Sequence, residues 1–367
     1  MRPFTATVGC LLAVVLAVNG LAALDRWHRA ARLREASAAL WPGRALVFDG
    51  VVDERRLQEA RLRVIPRPRI VAFGSSRVRD VSSQVVRAAP AEFYNVGMSA
   101  AVVEDYIALW SLLTREGKIP AVAVFSIDAW VLSRTQERVP WVALAAEVSR
   151  FLEAAGARHG PSWRATRDLA VWWLEAKELL SYAVLIQSIR DLDRALWSRK
   201  RQGDDLFAAL AGDIVPEDRI AGRQGIRADG SVIRAMAPEG ASPARPQDEA
   251  ASFVASGAYA LKGFRFDAER AADLELLWRD MRAHGVRLLA YAPPYRPETW
   301  ALLVRQPEYL ATLRTSAAFL QGLAGRVGAR FVDFSDPASV PCGEDEFYDA
   351  HHPKPACLER IWDRLLR

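Results

Sequence analysis

The chain is poor in the residues that build metal and redox centres. Its 367 residues include three cysteines and five histidines. No C-x-x-C occurs, which removes zinc ribbons and thioredoxin-type sites. H-E-x-x-H, G-x-x-x-x-G-K-[ST] and G-x-G-x-x-G are also absent, so zincin, P-loop and dinucleotide-binding chemistry find no support. There is no G-x-S-x-G elbow, which disfavours the usual α/β-hydrolase layout. His351 and His352 are adjacent with no further histidine nearby, a poor arrangement for a compact metal site. No metal and no cofactor are expected. Block clustering of cations is missing too: the net charge is +5, and arginines lie scattered among acids. That pattern argues against a nucleic-acid partner. No internal repeat is visible.

What is present is ordinary for a folded protein, with 51% hydrophobic and 25% charged residues, enough chain for one large domain or two small ones. Residues 6–24 read ATVGCLLAVVLAVNGLAAL, an uncharged run of about 19 residues that could span a hydrocarbon core of about 30 Å. Residues 1–24 are therefore expected to be an uncleaved transmembrane anchor. A cleaved signal peptide is the competing reading, because Asn19 to Ala23 offers small residues. Residues 25–65 are Arg- and Ala-rich with helical spacing and are expected to form a stalk. The positive-inside rule would pull Arg26, Arg29, Arg32 and Arg34 towards the cytoplasm.

From residue 66 to 367 short apolar runs alternate with helical patterns. Strands are expected at 70–73, 92–95, 121–125, 286–292 and 330–334. Helices are expected at 102–113, at 266–284 and from Pro355 onwards. This rhythm implies an α/β fold, a three-layer α/β/α arrangement with a mostly parallel central sheet. Residues 135–262 break the rhythm and are read as a helical insertion or lid. Its part at 163–199 is rich in Trp (Trp163, Trp172, Trp173 and Trp197), more often a packing stripe than a ligand platform. Ala228-Asp229-Gly230-Ser231 reads as a turn.

Ligands of open α/β sheets sit at the carboxyl ends of the strands. Three polar clusters fall there: Gly74-Ser75-Ser76-Arg77, Asn95-Val96-Gly97, and the loop Phe347 to Pro353. Serine needs a base within hydrogen-bond reach, and the base needs an orienting group. Asp349 and His352 have a spacing that lets one loop present both, with Ser76 as the nucleophile. The alternatives are a capping role for Ser75 and Ser76 and a plain surface loop for His352. Arg77 and His351 are candidate substrate contacts, although a salt bridge explains Arg77 equally well. Cys342 and Cys357 bracket the loop. Paired, they would close about 15 residues, worth roughly 3 kcal/mol, and would need an oxidising compartment. Two buried thiols are the other reading.

Strand–Gly-x-Ser, strand–Asn-x-Gly and Asp-x-x-His before the last helix occur in one order. That order resembles the SGNH (GDSL-like) hydrolase superfamily, and within it the membrane-anchored DltD- and AlgJ-like proteins, over roughly residues 68–130 and 285–367. The resemblance implies an SGNH- or flavodoxin-like sheet, with Ser76 as nucleophile and Asp349 and His352 completing the triad. The N–H groups of Ser76 and Gly97 would donate to the oxyanion. Ser75 replaces the usual Asp of the first block. The third block usually supplies an Asn, and here the strand ends Ser126-Ile127-Asp128. An ionised Asp128 cannot donate, so either Asn95 or Ser126 takes that place or the oxyanion hole is incomplete. The resemblance further implies a bacterial inner-membrane protein with its globular part in the periplasm or outside the cell. It would be an esterase or O-acyltransferase working on acyl, chiefly acetyl, groups of a cell-surface polysaccharide. Transfer would need a membrane-bound O-acyltransferase partner. A catalytically silent scaffold or glycan-binding component is the alternative.

Overall fold

The computed structural model describes residues 33–47, 53–134, 140–156, 213–220, 222–234, 245–259 and 261–367, together with 13, 15 and 17. Apart from those three residues the expected anchor over 1–24 lies outside the described residues, as does the Trp-rich part of the insertion at 163–199. Among the described residues no helix is long and apolar enough to cross a membrane.

In chain order the elements are β1 (Arg44–Val47), α1 (Glu54–Val64), β2 (Ile70–Gly74), β3 (Phe93–Asn95), α2 (Val103–Arg115), β4 (Val122–Ser126), α3 (Ala145–Ala154), β5 (Asp213–Pro216), β6 (Gly225–Arg227), β7 (Val232–Ile233), α4 (Pro246–Ala255), α5 (Ala268–Ala283), β8 (Arg287–Ala292), α6 (Pro297–Leu303), α7 (Pro307–Val327), β9 (Arg330–Asp333) and α8 (Pro355–Leu366). The protein is α/β. Its centre is a five-stranded sheet in the order β3-β2-β4-β8-β9, with every pair parallel. Strands buried on both faces should be nearly continuous apolar runs, and IVAFG in β2 and VAVFS in β4 are buried throughout.

Side chains alternate across the sheet. Val71, Phe73, Ala123, Phe125, Leu288 and Ala290 face one core, shared with α2, α5 and α7. Ile70, Ala72, Val122, Val124, Leu289 and Tyr291 face the other, filled by Leu358, Ile361, Trp362 and Leu365 of α8. Helices therefore cover both faces. The helices α6 and α7 had no counterpart in the sequence reading, although each begins with Pro at its first turn and α7 ends at Gly328 in the left-handed conformation, both common boundary signals.

The expected helical stalk over 25–65 needs correction. Within it β1 is a strand, the centre of a four-stranded antiparallel sheet β5-β1-β6-β7 whose other members all come from the insertion. Leu46 of β1, Leu57 and Ala60 of α1, and Ile226 and Val232 of the insertion share one apolar cluster with Leu33 and Leu40. A solvated stalk would not hold a buried ion pair, yet Arg55 of α1 grips Asp105 of α2 at 2.8 Å with both side chains buried. Residues 33–47, 53–64, 213–220 and 222–233 thus form a second small layer against the β3 end of the main sheet, where the Asn95 N–H donates to the Asp229 carbonyl at 2.8 Å.

Candidate active site

The chain passes from β2 to β3 on one side, then returns to β4 on the other. The crevice at such a reversal is where α/β sheets bind ligands, and Ser76 lies two residues beyond β2 at that point. Gly74 must be glycine there, because a Cβ would meet Ser126 Cβ and Val78 Cγ1 at 2.9 Å. This close approach turns the chain sharply at the strand end and leaves Ser76 partly exposed.

The third polar loop arrives from the far end of the sequence. Asp349 Oδ1 accepts the N–H groups of His351 at 3.0 Å and His352 at 2.9 Å, an Asx-type turn that fixes the loop locally. The Tyr348 N–H donates to the His352 carbonyl and the Lys354 N–H to that of Glu346. Cys342 and Cys357 are joined in a disulfide whose 15-residue span encloses the whole loop. With the backbone set, Asp349 Oδ2 accepts from His352 Nδ1 at 2.6 Å. His352 Nε2 then faces Ser76 Oγ at 2.8 Å. The tautomer that satisfies both contacts carries its proton on Nδ1 and accepts the Ser76 hydroxyl on Nε2. The structure brings Ser76, His352 and Asp349 together in the hydrogen-bonded chain required of a nucleophile, base and orienting group. Burial alone would raise the Asp349 carboxyl. The hydrogen bond from the His352 ring and the His351 N–H outweigh it and hold the carboxyl well below its usual range. Asp349 is thus ionised beside the ring at neutral pH.

Four expectations for neighbouring residues need correction. Arg77 is not a substrate contact. Its side chain is 3% exposed, and its donors go to Asp128 Oδ1 at 2.9 Å, the His351 carbonyl at 2.9 Å, the Pro293 carbonyl at 3.0 Å and the Pro294 carbonyl. Arg77 therefore ties the ends of β2, β4 and β8 to the loop that carries Asp349 and His352. His351 is not available either. Phe253 of α4 stacks on its ring at 4.7 Å and the His352 ring lies 4.0 Å away. Burial, reinforced by His352 and Arg77, pushes His351 well below the ordinary histidine value, so the ring is neutral.

The expected oxyanion donors are largely spent. Gly97 N–H donates to Asn95 Oδ1 at 2.8 Å, while the Asn95 amide donates to the carbonyls of Val78 and Val81, each at 2.8 Å. Asn95 is a brace between the second block and the turn after β2. Ser126 is fully buried beneath Gly74. Asp128 instead balances Arg77 and accepts from Ser75 Oγ at 2.5 Å. Ser76 N–H is the remaining donor at the nucleophile and has no partner among the described residues.

Other residues at the site escaped the sequence reading. Arg234 of the insertion grips Asp80 through two nitrogens, with contacts of 2.7 to 3.0 Å. Its Nη2 lies 3.5 Å from the Ser76 carbonyl, and its guanidinium covers the Tyr348 ring at 4.7 Å. A separation of 154 residues leaves no local signal for such a pair. Asp349, His351 and His352 also offer three potential metal-ligand atoms within 4.8 Å of one another, but Asp349 and His352 are already engaged with each other and with Ser76. No protein-family model matches the chain, and no curated protein matches it.

Proposed function

We propose that this chain is a serine esterase or O-acyltransferase that moves acyl groups, chiefly acetyl, on or off a cell-surface polysaccharide through an acyl-Ser76 intermediate. The observation that carries this reading is the Asp349–His352–Ser76 chain of hydrogen bonds at 2.6 and 2.8 Å, placed at the sheet reversal where ligands bind. Ser76 Oγ attacks the acyl carbonyl as His352 Nε2 takes its proton, and Asp349 stabilises the imidazolium. The tetrahedral adduct expels the donor's oxygen, which recovers the proton from His352. A water or sugar hydroxyl then gives its proton to His352 and attacks acyl-Ser76, releasing the free serine. The Ser76 N–H is placed to meet the oxyanion, a donor of a kind worth about 3 kcal/mol.

The order of the three polar blocks and the parallel sheet support the finer SGNH-like α/β/α reading. The disulfide supports an oxidising compartment, which fits a periplasmic or extracellular body. Residues 1–24 would anchor it in a bacterial inner membrane, with a membrane-bound O-acyltransferase partner delivering acyl groups if transfer is the outcome. The test is hydrolysis of p-nitrophenyl acetate by the full chain in detergent. Ser76→Ala and His352→Ala should each remove activity above the uncatalysed rate, and an unaffected rate in both would refute the reading.

A second reading is favoured by one specific observation. Because Gly97 N–H and Asn95 are bound to each other and Asp128 stands where a donor would be needed, the oxyanion site offers one free N–H among the described residues. Loss of a single oxyanion donor costs about 10²–10³ in rate. A scaffold or glycan-binding component that keeps the enzyme's shape would show this pattern. Turnover of the native acylated glycan by the wild-type protein separates the two.

A further inference from the structure

The loop that carries Asp349 and His352 holds a second histidine that the Ser76 chain of hydrogen bonds does not use. His351 is 7% exposed, and its Nδ1 is buried with no hydrogen-bond partner among the described residues. Neighbouring rings fix its position: Phe253 stacks on it at 4.7 Å, Tyr259 meets it edge to face at 5.1 Å, and the His352 ring lies at 4.0 Å. Its Nδ1 faces the carboxylate that orients His352. It lies 3.4 Å from Asp349 Oδ1, while His352 Nδ1 lies 2.6 Å from Asp349 Oδ2. Asp349, His351 and His352 thus present ligand atoms within 4.8 Å of one another. Adjacent side chains diverge in an extended chain, but here Asp349 accepts the N–H groups of both histidines and the turn brings their rings together. Two imidazole nitrogens and a carboxylate are the donor set of a three-ligand zinc site with water in the fourth position. Ligands of a tetrahedral Zn²⁺ lie about 3.3 Å apart at ordinary bond lengths, close to the 3.4 Å between His351 Nδ1 and Asp349 Oδ1. The His352 contact has to open from 2.6 Å to about that spacing, once the proton it shares is gone. The arginines around the loop are already matched, Arg77 by Asp128, Arg234 by Asp80 and Arg296 by Glu249, which leaves the Asp349 carboxylate to attract a cation.

We infer that Asp349, His351 and His352 form an inhibitory zinc site, in which bound Zn²⁺ takes His352 out of service as the base for Ser76. The inference rests on the serine acyl-transfer reading for its effect on rate, while binding itself needs no chemistry. Without metal, His352 carries its proton on Nδ1 and offers the Nε2 lone pair to Ser76. Zn²⁺ bonds through Nδ1, whose proton leaves to solvent as another is taken up at Nε2, so the ring stays neutral and the protons balance. Nε2 is then a donor to Ser76 Oγ and can no longer accept its proton. The metal is an inhibitor rather than a resident cofactor, because it has to displace the Nδ1–Oδ2 hydrogen bond that completes the Ser76–His352–Asp349 chain. Imidazole suits zinc, whereas Ca²⁺ and Mg²⁺ take oxygen ligands, so hard cations should not reproduce the effect.

The test is calorimetric binding of Zn²⁺ to the full chain carrying Ser76→Ala, beside p-nitrophenyl acetate hydrolysis by the wild type over the same zinc series. Ser76→Ala keeps all three ligands. In that background His351→Phe, which keeps the stack on Phe253, and Asp349→Asn should each weaken zinc binding ten-fold or more, since even partners outside the ligand set are worth about ten-fold in metal affinity. Circular dichroism establishes that each variant is folded. Wild-type hydrolysis should fall at least ten-fold as the site fills, return on adding EDTA, and be unmoved by equal Ca²⁺ or Mg²⁺. His351→Phe should need at least ten-fold more zinc for the same fractional loss of its own zinc-free rate. Zinc binding unchanged in either folded variant, a measurable wild-type rate untouched where the site is full, or an equal loss with Mg²⁺ would each overturn the assignment. The serine reading fails separately: if wild-type protein is inactive and is not labelled at Ser76 by a fluorophosphonate, but binds zinc through His351 and Asp349, the metal site stands without the enzyme.

Discussion

Replacing Arg77 by Met should be among the most damaging single changes outside the triad. The Arg77–Asp128 contact is 2.9 Å, with side chains 3% and 1% exposed. Removing one partner of such a pair leaves an uncompensated buried charge and costs about 3–5 kcal/mol. The carbonyls of His351, Pro293 and Pro294 lose a donor as well, each worth about 1 kcal/mol where water cannot replace it. Because the His351 carbonyl is one of the acceptors, the damage reaches His352, and activity should fall together with stability. Arg77→Met is therefore expected to unfold in urea with a stability lower by at least 3 kcal/mol. Removing both charges is gentler than removing one, so Arg77→Met with Asp128→Leu should recover roughly 2 kcal/mol relative to Arg77→Met. A single variant within about 1 kcal/mol of wild type would refute the reasoning, and so would a double variant no more stable than the single.

Three further outcomes follow from the same geometry. Asp349→Asn should keep the fold but lower acyl transfer by about 10³–10⁴, because the ring loses the partner that fixes its tautomer; a loss under ten-fold in p-nitrophenyl acetate hydrolysis would contradict the assigned role. Cys342→Ser should cost about 3 kcal/mol through the freed 15-residue loop, and reducing agent should destabilise the wild type equally while leaving the variant unchanged. The third concerns acid. His351 is held well below its ordinary value, mainly by burial, with the charges of His352, Arg77 and Arg234 adding to that and Asp349 opposing it. Below about pH 6.5 the unfolded chain binds a proton there that the folded one does not, so stability falls as pH drops, by up to about 1.4 kcal/mol per unit. His351→Phe, which preserves the stack on Phe253, should flatten that slope between pH 6.5 and 5.

The parts of the fold legible in the sequence are those whose signals are local. The runs 70–74 and 122–126 are apolar and end at small polar residues, and Asp349 and His352 sit three residues apart on one loop. What escaped depends on pairings across the chain. The strand RALV of β1 has four residues, and its partners in β5 and β6 lie about 170 to 180 residues away, so the arginine-rich context reads as helix. Asp128 looked like a defect in an oxyanion hole, whereas its partner Arg77 lies 51 residues away. Asn95 and Gly97 were found by motif, but only the packing of Val78 and Val81 against them reveals that they bind each other and the turn.

The most direct measurement is covalent labelling of the purified full chain with a fluorophosphonate, followed by mass spectrometry of the modified peptide. A serine activated by His352 should take up one equivalent at Ser76, with none there in Ser76→Ala and much slower uptake in His352→Ala. Folded wild-type protein that stays unlabelled at Ser76 under conditions that saturate an ordinary serine esterase would contradict the acyl-transfer account.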